Sequence, residues 1–132
     1  MSDVRDRSTG VRRDLSEDAL RHLPYQRFPA ALKGLMQERH LSYRQMAYKT
    51  RLSAGYLYHL TKGTRPVPAN PVIRTIAVAL RVQPDFFLEY RLRRVLSRVE
   101  DSTRLTDALY GILLLRMPVS DEVKRVLESL DG

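Results

Sequence analysis

Residues 42 to 63 read Ser-Tyr-Arg-Gln-Met-Ala-Tyr-Lys-Thr-Arg-Leu-Ser-Ala-Gly-Tyr-Leu-Tyr-His-Leu-Thr-Lys-Gly, and this stretch decides the fold. Ser42 and Ser53 each stand just ahead of a short, proline-free run. A seryl oxygen accepts hydrogen bonds from amides that the first helical turn leaves unpaired, so each serine opens a helix. Gly63 ends the second run, because glycine takes the left-handed C-terminal conformation without strain. The spacing therefore predicts helices over 43–50 and 54–62, joined by a tight turn. At about 100° per residue, Ser53, Tyr56, Leu57 and Leu60 fall on one side of the second helix, and Gly55, Tyr58 and Lys62 on the other. Ala54 and His59 flank the two faces. The first side is built to pack; the second is left open.

Working outward, "ALKGLMQERHLS" repeats apolar residues at helical spacing and predicts a helix over about 29 to 39. Downstream, "PVIRTIAVALRVQPDFFLE" predicts helices over about 70 to 81 and 85 to 99. Asn70 before Pro71 is a capping residue followed by a proline that fits the first helical position. Pro66 and Pro68 stiffen the preceding loop. The expected fold is all-α: a five-helix bundle over residues 25–95, preceded by an arm over 1–24 and followed by a helical extension over 96–132. Residues 1 to about 15 lack periodicity and read as a mobile tail, and Ser16 with Glu17 and Asp18 opens a short helical turn ended by Pro24.

Over roughly residues 28 to 90 the chain resembles the Xre-type regulators, to which the small phage repressors and Cro proteins belong. The resemblance rests on "ALKGLMQERHLS", on Ala47 where the two short helices cross, on "LSAGYLYHLTKG" for turn and second helix, and on the closing "PVIRTIAVALRVQPDFFLE". It implies a repressor-like helix-turn-helix bundle that inserts helix 54–62 in the major groove of double-stranded DNA. The chain departs from the family in three places. Tyr43 stands where glutamine is frequent, Thr50 where an aliphatic residue is usual, and Arg51 replaces the turn glycine, which is tolerable if its backbone stays in an ordinary region.

Carried over position by position, the resemblance implies that Ala54, Gly55, Tyr58 and His59 face base edges. Tyr43, Arg44, Arg51, Ser53, Lys62, Thr64 and Arg65 are then the candidate phosphate contacts. Ala54 and Gly55 offer no side-chain hydrogen bond, whereas the paired donors and acceptors of Arg, Asn or Gln discriminate bases by about 1–3 kcal/mol each. Direct readout is therefore expected to be modest, with phosphates and DNA shape carrying more of the binding.

Charge points to the same segment independently. Residues 25–95 hold thirteen Lys and Arg against three Asp and Glu, a net +10, while residues 1–24 balance and residues 96–132 sum to −2. The whole formal charge of +8 thus comes from the predicted bundle. A polyanion is the natural partner, because cations that neutralise phosphates release condensed counterions.

The extension carries more apolar surface than a small bundle has to cover. Leu88, Leu92, Val95 and Val99 form a heptad-like stripe along the fifth helix. A helix over about 103–117, stopped by Pro118, presents Leu105, Leu109, Ile112 and Leu113. A last helix from Ser120 presents Val123, Val126, Leu127 and Leu130. Two readings are open: the extension folds back on its own bundle, or these eight residues form a dimer interface, which is the expectation since one recognition helix reads only a few base pairs and two-fold pairing lengthens the site.

Other chemistry finds little support. The chain has no cysteine, His22, His40 and His59 share no metal-ligand spacing, and no carboxylate pair or phosphate-binding glycine loop accompanies them. Neither enzyme activity nor a cofactor is expected. The longest apolar stretch, Leu109–Leu115, is too short to span a bilayer, and a cytoplasmic, nucleoid-associated location follows as the expectation. Two alternatives stay open: a protein-interaction adaptor with Tyr43, Tyr48, Tyr56 and Tyr58 as anchors, and a more general nucleoid-associated DNA organiser.

Overall fold

The computed structural model describes residues 25–119 and, beyond them, Asp121, Lys124, Arg125 and Glu128, all four helical. The predicted arm over 1–24 and the interface residues Val123, Val126, Leu127 and Leu130 lie outside the described residues. Among the described residues the secondary structure is entirely helical. The elements are α1 (Phe28–Glu38), α2 (Tyr43–Thr50), α3 (Ala54–Lys62), α4 (Asn70–Leu80), a 3-10 turn (Pro84–Phe86), α5 (Leu88–Glu100) and α6 (Thr103–Leu113). No described helix is long and apolar enough to cross a membrane.

Local chemistry explains most of these boundaries. Ser42 and Gln45 form a reciprocal capping box at α2, the serine oxygen accepting from the Gln45 amide at 3.1 Å and Gln45 Oε1 from the Ser42 amide at 2.8 Å. Ser53 caps α3 through the Tyr56 amide at 3.0 Å. The start of α1 has no local side-chain cap; Glu89 on α5 reaches 61 residues back and accepts from the Phe28 amide at 3.0 Å. That carboxylate meets the positive end of the α1 dipole.

Three expected boundaries need correction. Ala69, not Asn70, is the N-cap of α4, and the Asn70 side chain instead accepts from Arg93 Nη1 at 3.0 Å. The stretch predicted as one helix over 85–99 begins with a 3-10 turn, because Pro84 starts it and the extended Phe87 separates it from α5. α6 ends at Leu113, ahead of the proline expected to stop it. Arg116 turns left-handed at φ 58°, and the Met117 amide closes onto the Gly111 carbonyl at 3.0 Å. The restriction that a proline places on its predecessor falls on Met117, so it does not account for a helix that ends at Leu113.

The backbone of Arg51 does not stay in an ordinary region. It sits at φ 63°, ψ 20°, the left-handed region, and its amide donates to the Ala47 carbonyl at 2.8 Å. The turn thus keeps a glycine-type conformation without glycine. His40, Arg81 and Arg116 adopt it too, each just beyond a helix. At Arg51 and Arg81, the residues that cap α2 and α4, the cation stands at the negative end of the helix dipole, which offsets part of the strain.

The core is continuous across α1 to α4 and the start of α5. Phe28, Leu32, Met46, Leu57, Leu60, Ile73, Ile76, Leu80 and Phe87 are fully buried, and the Phe28 and Phe87 rings meet at 4.9 Å. α3 packs on both α1 and α2, and α4 on α2 and the 3-10 turn. α6 rests on α5 through Leu105, which is 5% exposed. Leu105 is therefore spent inside the chain and corrects the expectation that it faces a partner.

Candidate nucleic-acid interface

The turn between α2 and α3 depends on Thr50. Its side chain is buried, with Oγ1 donating to the Met46 carbonyl at 2.7 Å and accepting from the Leu52 amide at 3.2 Å. An aliphatic side chain would leave that amide without this partner. A buried unpaired amide costs about 1–3 kcal/mol, which gives a polar residue at this core position its physical reason.

Opposite the core, α3 presents Gly55, Tyr58, His59 and Lys62, all exposed, beside the half-buried Ala54. A Cβ built on Gly55 meets nothing within 4 Å, so the middle of this face is open space at backbone level. Tyr58 stands 44% exposed, edge-on to Tyr43 at 5.7 Å, with the Lys62 ammonium 5.4 Å from its ring centre. The Arg65 guanidinium lies 5.4 Å from the Tyr56 ring. The structure thus gathers the four expected base-facing residues and the expected cations Lys62 and Arg65 on and around one helix.

Phosphate oxygens only accept hydrogen bonds, so a hydroxyl assigned to a phosphate must have a proton to give. Thr61 Oγ1 donates to the Tyr58 carbonyl at 2.7 Å and lies 2.8 Å from the Tyr43 hydroxyl, which must therefore be the donor to Thr61. The Tyr43 proton is committed inside the protein, tying α2 to α3. This geometry gives no support to its expected phosphate contact. Thr64 is similarly engaged: Oγ1 lies 2.7 Å from His59 Nδ1 and 3.3 Å from the His59 carbonyl. Ser53 differs. Its oxygen accepts from the Tyr56 amide and keeps its own proton. Arg44, Arg51, Lys62 and Arg65 are exposed cations on the same two helices and the adjoining loops.

These features are two capped helices, a left-handed turn and an open face on the second helix, and the comparison with known families agrees with them. Residues 27–86 match the helix-turn-helix domain family. No curated protein and no solved structure matches the chain. The match ends at the 3-10 turn, leaving α5 and α6 outside it, and a helix-turn-helix domain is consistent with binding double-stranded DNA.

One residue that supports the helix-turn-helix domain was not legible as such. Arg93 on α5 donates through Nη1 to the Pro68 carbonyl at 2.6 Å and to Asn70, and through Nη2 to the Val67 carbonyl at 3.3 Å. It anchors the loop that carries Thr64 and Arg65 away from α3. Arg39 likewise donates to the Leu80 carbonyl at 3.0 Å, and Arg91 to the carbonyls of Asp85 and Phe86. A share of the segment's positive charge therefore cements the fold. Composition cannot separate these arginines from those that face outward.

Proposed function

We propose that the chain is a DNA-binding transcriptional regulator of the Xre type, a binder rather than an enzyme, that inserts α3 in the major groove. The observation that carries this reading is the open face of α3, with Gly55 at its centre and proton donors from Arg44, Arg51, Ser53, Lys62 and Arg65 around it. Ala54 and Gly55 bring no side-chain donors or acceptors, so base readout falls on Tyr58 and His59, and backbone contacts supply most of the affinity. The protein acts as a homodimer through α5 and α6. There Leu92, Val95, Leu96, Tyr110 and Leu113 are 45–67% exposed and form the apolar surface that Leu105 does not. Leu109 and Ile112 are half-buried beside it.

The test is a titration of a mixed-sequence duplex at two ionic strengths. Affinity is expected to fall by about 0.9 log unit per log unit of salt for each phosphate neutralised. Lys62→Ala and Arg65→Ala flatten that slope on all sequences alike. Gly55→Glu folds, since its side chain enters open space, and abolishes binding. A chain that binds no duplex at low salt, or a folded Gly55→Glu that binds normally, removes α3 from the groove. The exposed tyrosines, Tyr48 at 88% foremost, would then belong to a protein-docking surface.

A further inference from the structure

His59 and Thr64 form a closed local unit at the end of α3. The Thr64 amide donates to the His59 carbonyl at 3.1 Å, the Thr64 hydroxyl lies 3.3 Å from the same carbonyl, and the hydroxyl oxygen is 2.7 Å from His59 Nδ1. A threonine hydroxyl has one proton. If it goes to the imidazole, the hydroxyl makes one bond and its approach to the carbonyl goes unused. If it goes to the carbonyl, Nδ1 must carry a proton and donate it, and both bonds form in one chain from ring to hydroxyl to backbone. The two-bond arrangement uses both contacts that the geometry offers, where the other uses one.

We infer that Thr64 is a positioning residue that fixes neutral His59 as the Nδ1–H tautomer, leaving Nε2 as a bare acceptor on the open face of α3. The consequence for readout rests on the DNA-binding proposal above. An acceptor cannot bond a phosphate oxygen, nor guanine O6 or N7. In the major groove it pairs with the amino groups of adenine N6 or cytosine N4. His59 is then a reader of amino-bearing bases. Thr64, expected from its neighbours to touch phosphate, acts through His59 instead.

Two readouts test this, the first without DNA. In a long-range proton–nitrogen correlation spectrum of the full-length protein, taken where imidazole is neutral, the His59 signals are assigned by their loss in His59→Gln. The expected pattern is a protonated Nδ1 and a bare Nε2; Thr64→Val shifts the proton toward Nε2, and Thr64→Ser restores the original pattern. A wild-type His59 protonated on Nε2 overturns the inference. In the second readout, selection from a random duplex pool is expected to give wild-type protein one position restricted to adenine or cytosine. Thr64→Val weakens that preference roughly fivefold or more, with the salt slope unchanged. An unmoved preference, with the Nδ1–H tautomer present, overturns the specificity role. Failure of every variant and the wild type to bind any DNA sinks the regulator reading, and the spectrum still decides the tautomer.

Discussion

The helix-turn-helix domain and the α5–α6 segment that follows it treat their apolar residues in opposite ways. In the domain, Phe28, Leu32, Met46, Leu57, Leu60, Ile73, Ile76 and Leu80 are all closed off from water, and the open face of α3 is polar or bare backbone. Along α5 and α6, only Tyr90, Leu105 and Gly111 are buried, while Leu92, Val95, Leu96, Tyr110 and Leu113, and Leu114 and Leu115 just past the end of α6, stand exposed. Apolar area left in water forfeits about 25 cal/mol per Å². The domain has closed most of its apolar side chains within the chain, with Val78 and Tyr48 as exposed exceptions, whereas the segment after it leaves most of its own in water, as interaction sites do.

The largest expected effects test this contrast directly. Phe28→Ala removes a ring at 0% exposure that contacts Phe87, and it should destabilise the domain by about 3–5 kcal/mol in a denaturant titration. The double change Val95→Asp with Leu96→Asp, at half-exposed positions, should leave the melting of the domain nearly unchanged. If that surface pairs two copies of the chain, its effect should appear in sedimentation, as loss of a dimer, and in weaker DNA binding once two half-sites are no longer linked. If the double variant sediments like the wild type, the α5–α6 surface is not a dimer interface. Should it instead unfold the domain, the contrast between the two regions is false.

A smaller effect is expected where the two regions are stitched together. Arg93→Ala deletes the donors to the Val67 and Pro68 carbonyls and to Asn70, across α5 and the loop that follows α3. Hydrogen bonds from charged groups contribute about 1.5–3 kcal/mol each, and partial replacement by water in this half-buried site puts the net loss near the lower figure. The informative readout is coupling. If Arg93 positions Arg65, then Arg65→Ala should weaken DNA binding less in the Arg93→Ala background than in the wild type, whereas Lys62→Ala on α3 should act equally in both. Equal effects for both residues would make Arg93 a fold-stabilising residue only.

The legible parts of the molecule are those encoded by local chemistry. Ser42, Ser53 and Gly63 bounded α2 and α3 correctly because caps act within a few residues, and periodicity placed Leu57 and Leu60 on the buried face of α3, though it also put the exposed Ser53 there and missed Thr61. Contacts between distant residues were not legible. Glu89 capping α1 spans 61 residues, and Arg93 bonding the Pro68 carbonyl spans 25, with no local pattern to announce either. Hydroxyl roles were hidden for a different reason. Tyr43, Ser53 and Thr64 look equally able to donate to a phosphate, and only the bonds each already makes reveal that Ser53 alone keeps its proton to give.

The smallest predicted effect concerns the C-terminal ends of α2 and α3, which share one backbone conformation and differ in residue. α3 ends at Gly63 with φ 74°, where glycine carries no strain; α2 ends at Arg51 with φ 63°, where a Cβ does. Arg51→Gly removes that strain, worth roughly 1–2 kcal/mol. It also frees the unfolded chain, which takes back about 0.4–1 kcal/mol, and removes a cation from the negative end of α2. The net should be a gain of up to about 1 kcal/mol, read as a modest rise in the denaturation midpoint. Arg51→Ala keeps the strained Cβ and loses the same charge, so it should be no more stable than wild type. DNA binding separates the two roles of the arginine. If Arg51 meets a phosphate, both variants should bind every duplex more weakly with a salt slope lower by about one unit, and glycine should do so while the domain becomes more stable. A glycine variant that gains stability and binds as before would show that the arginine is held at the turn for some reason other than DNA.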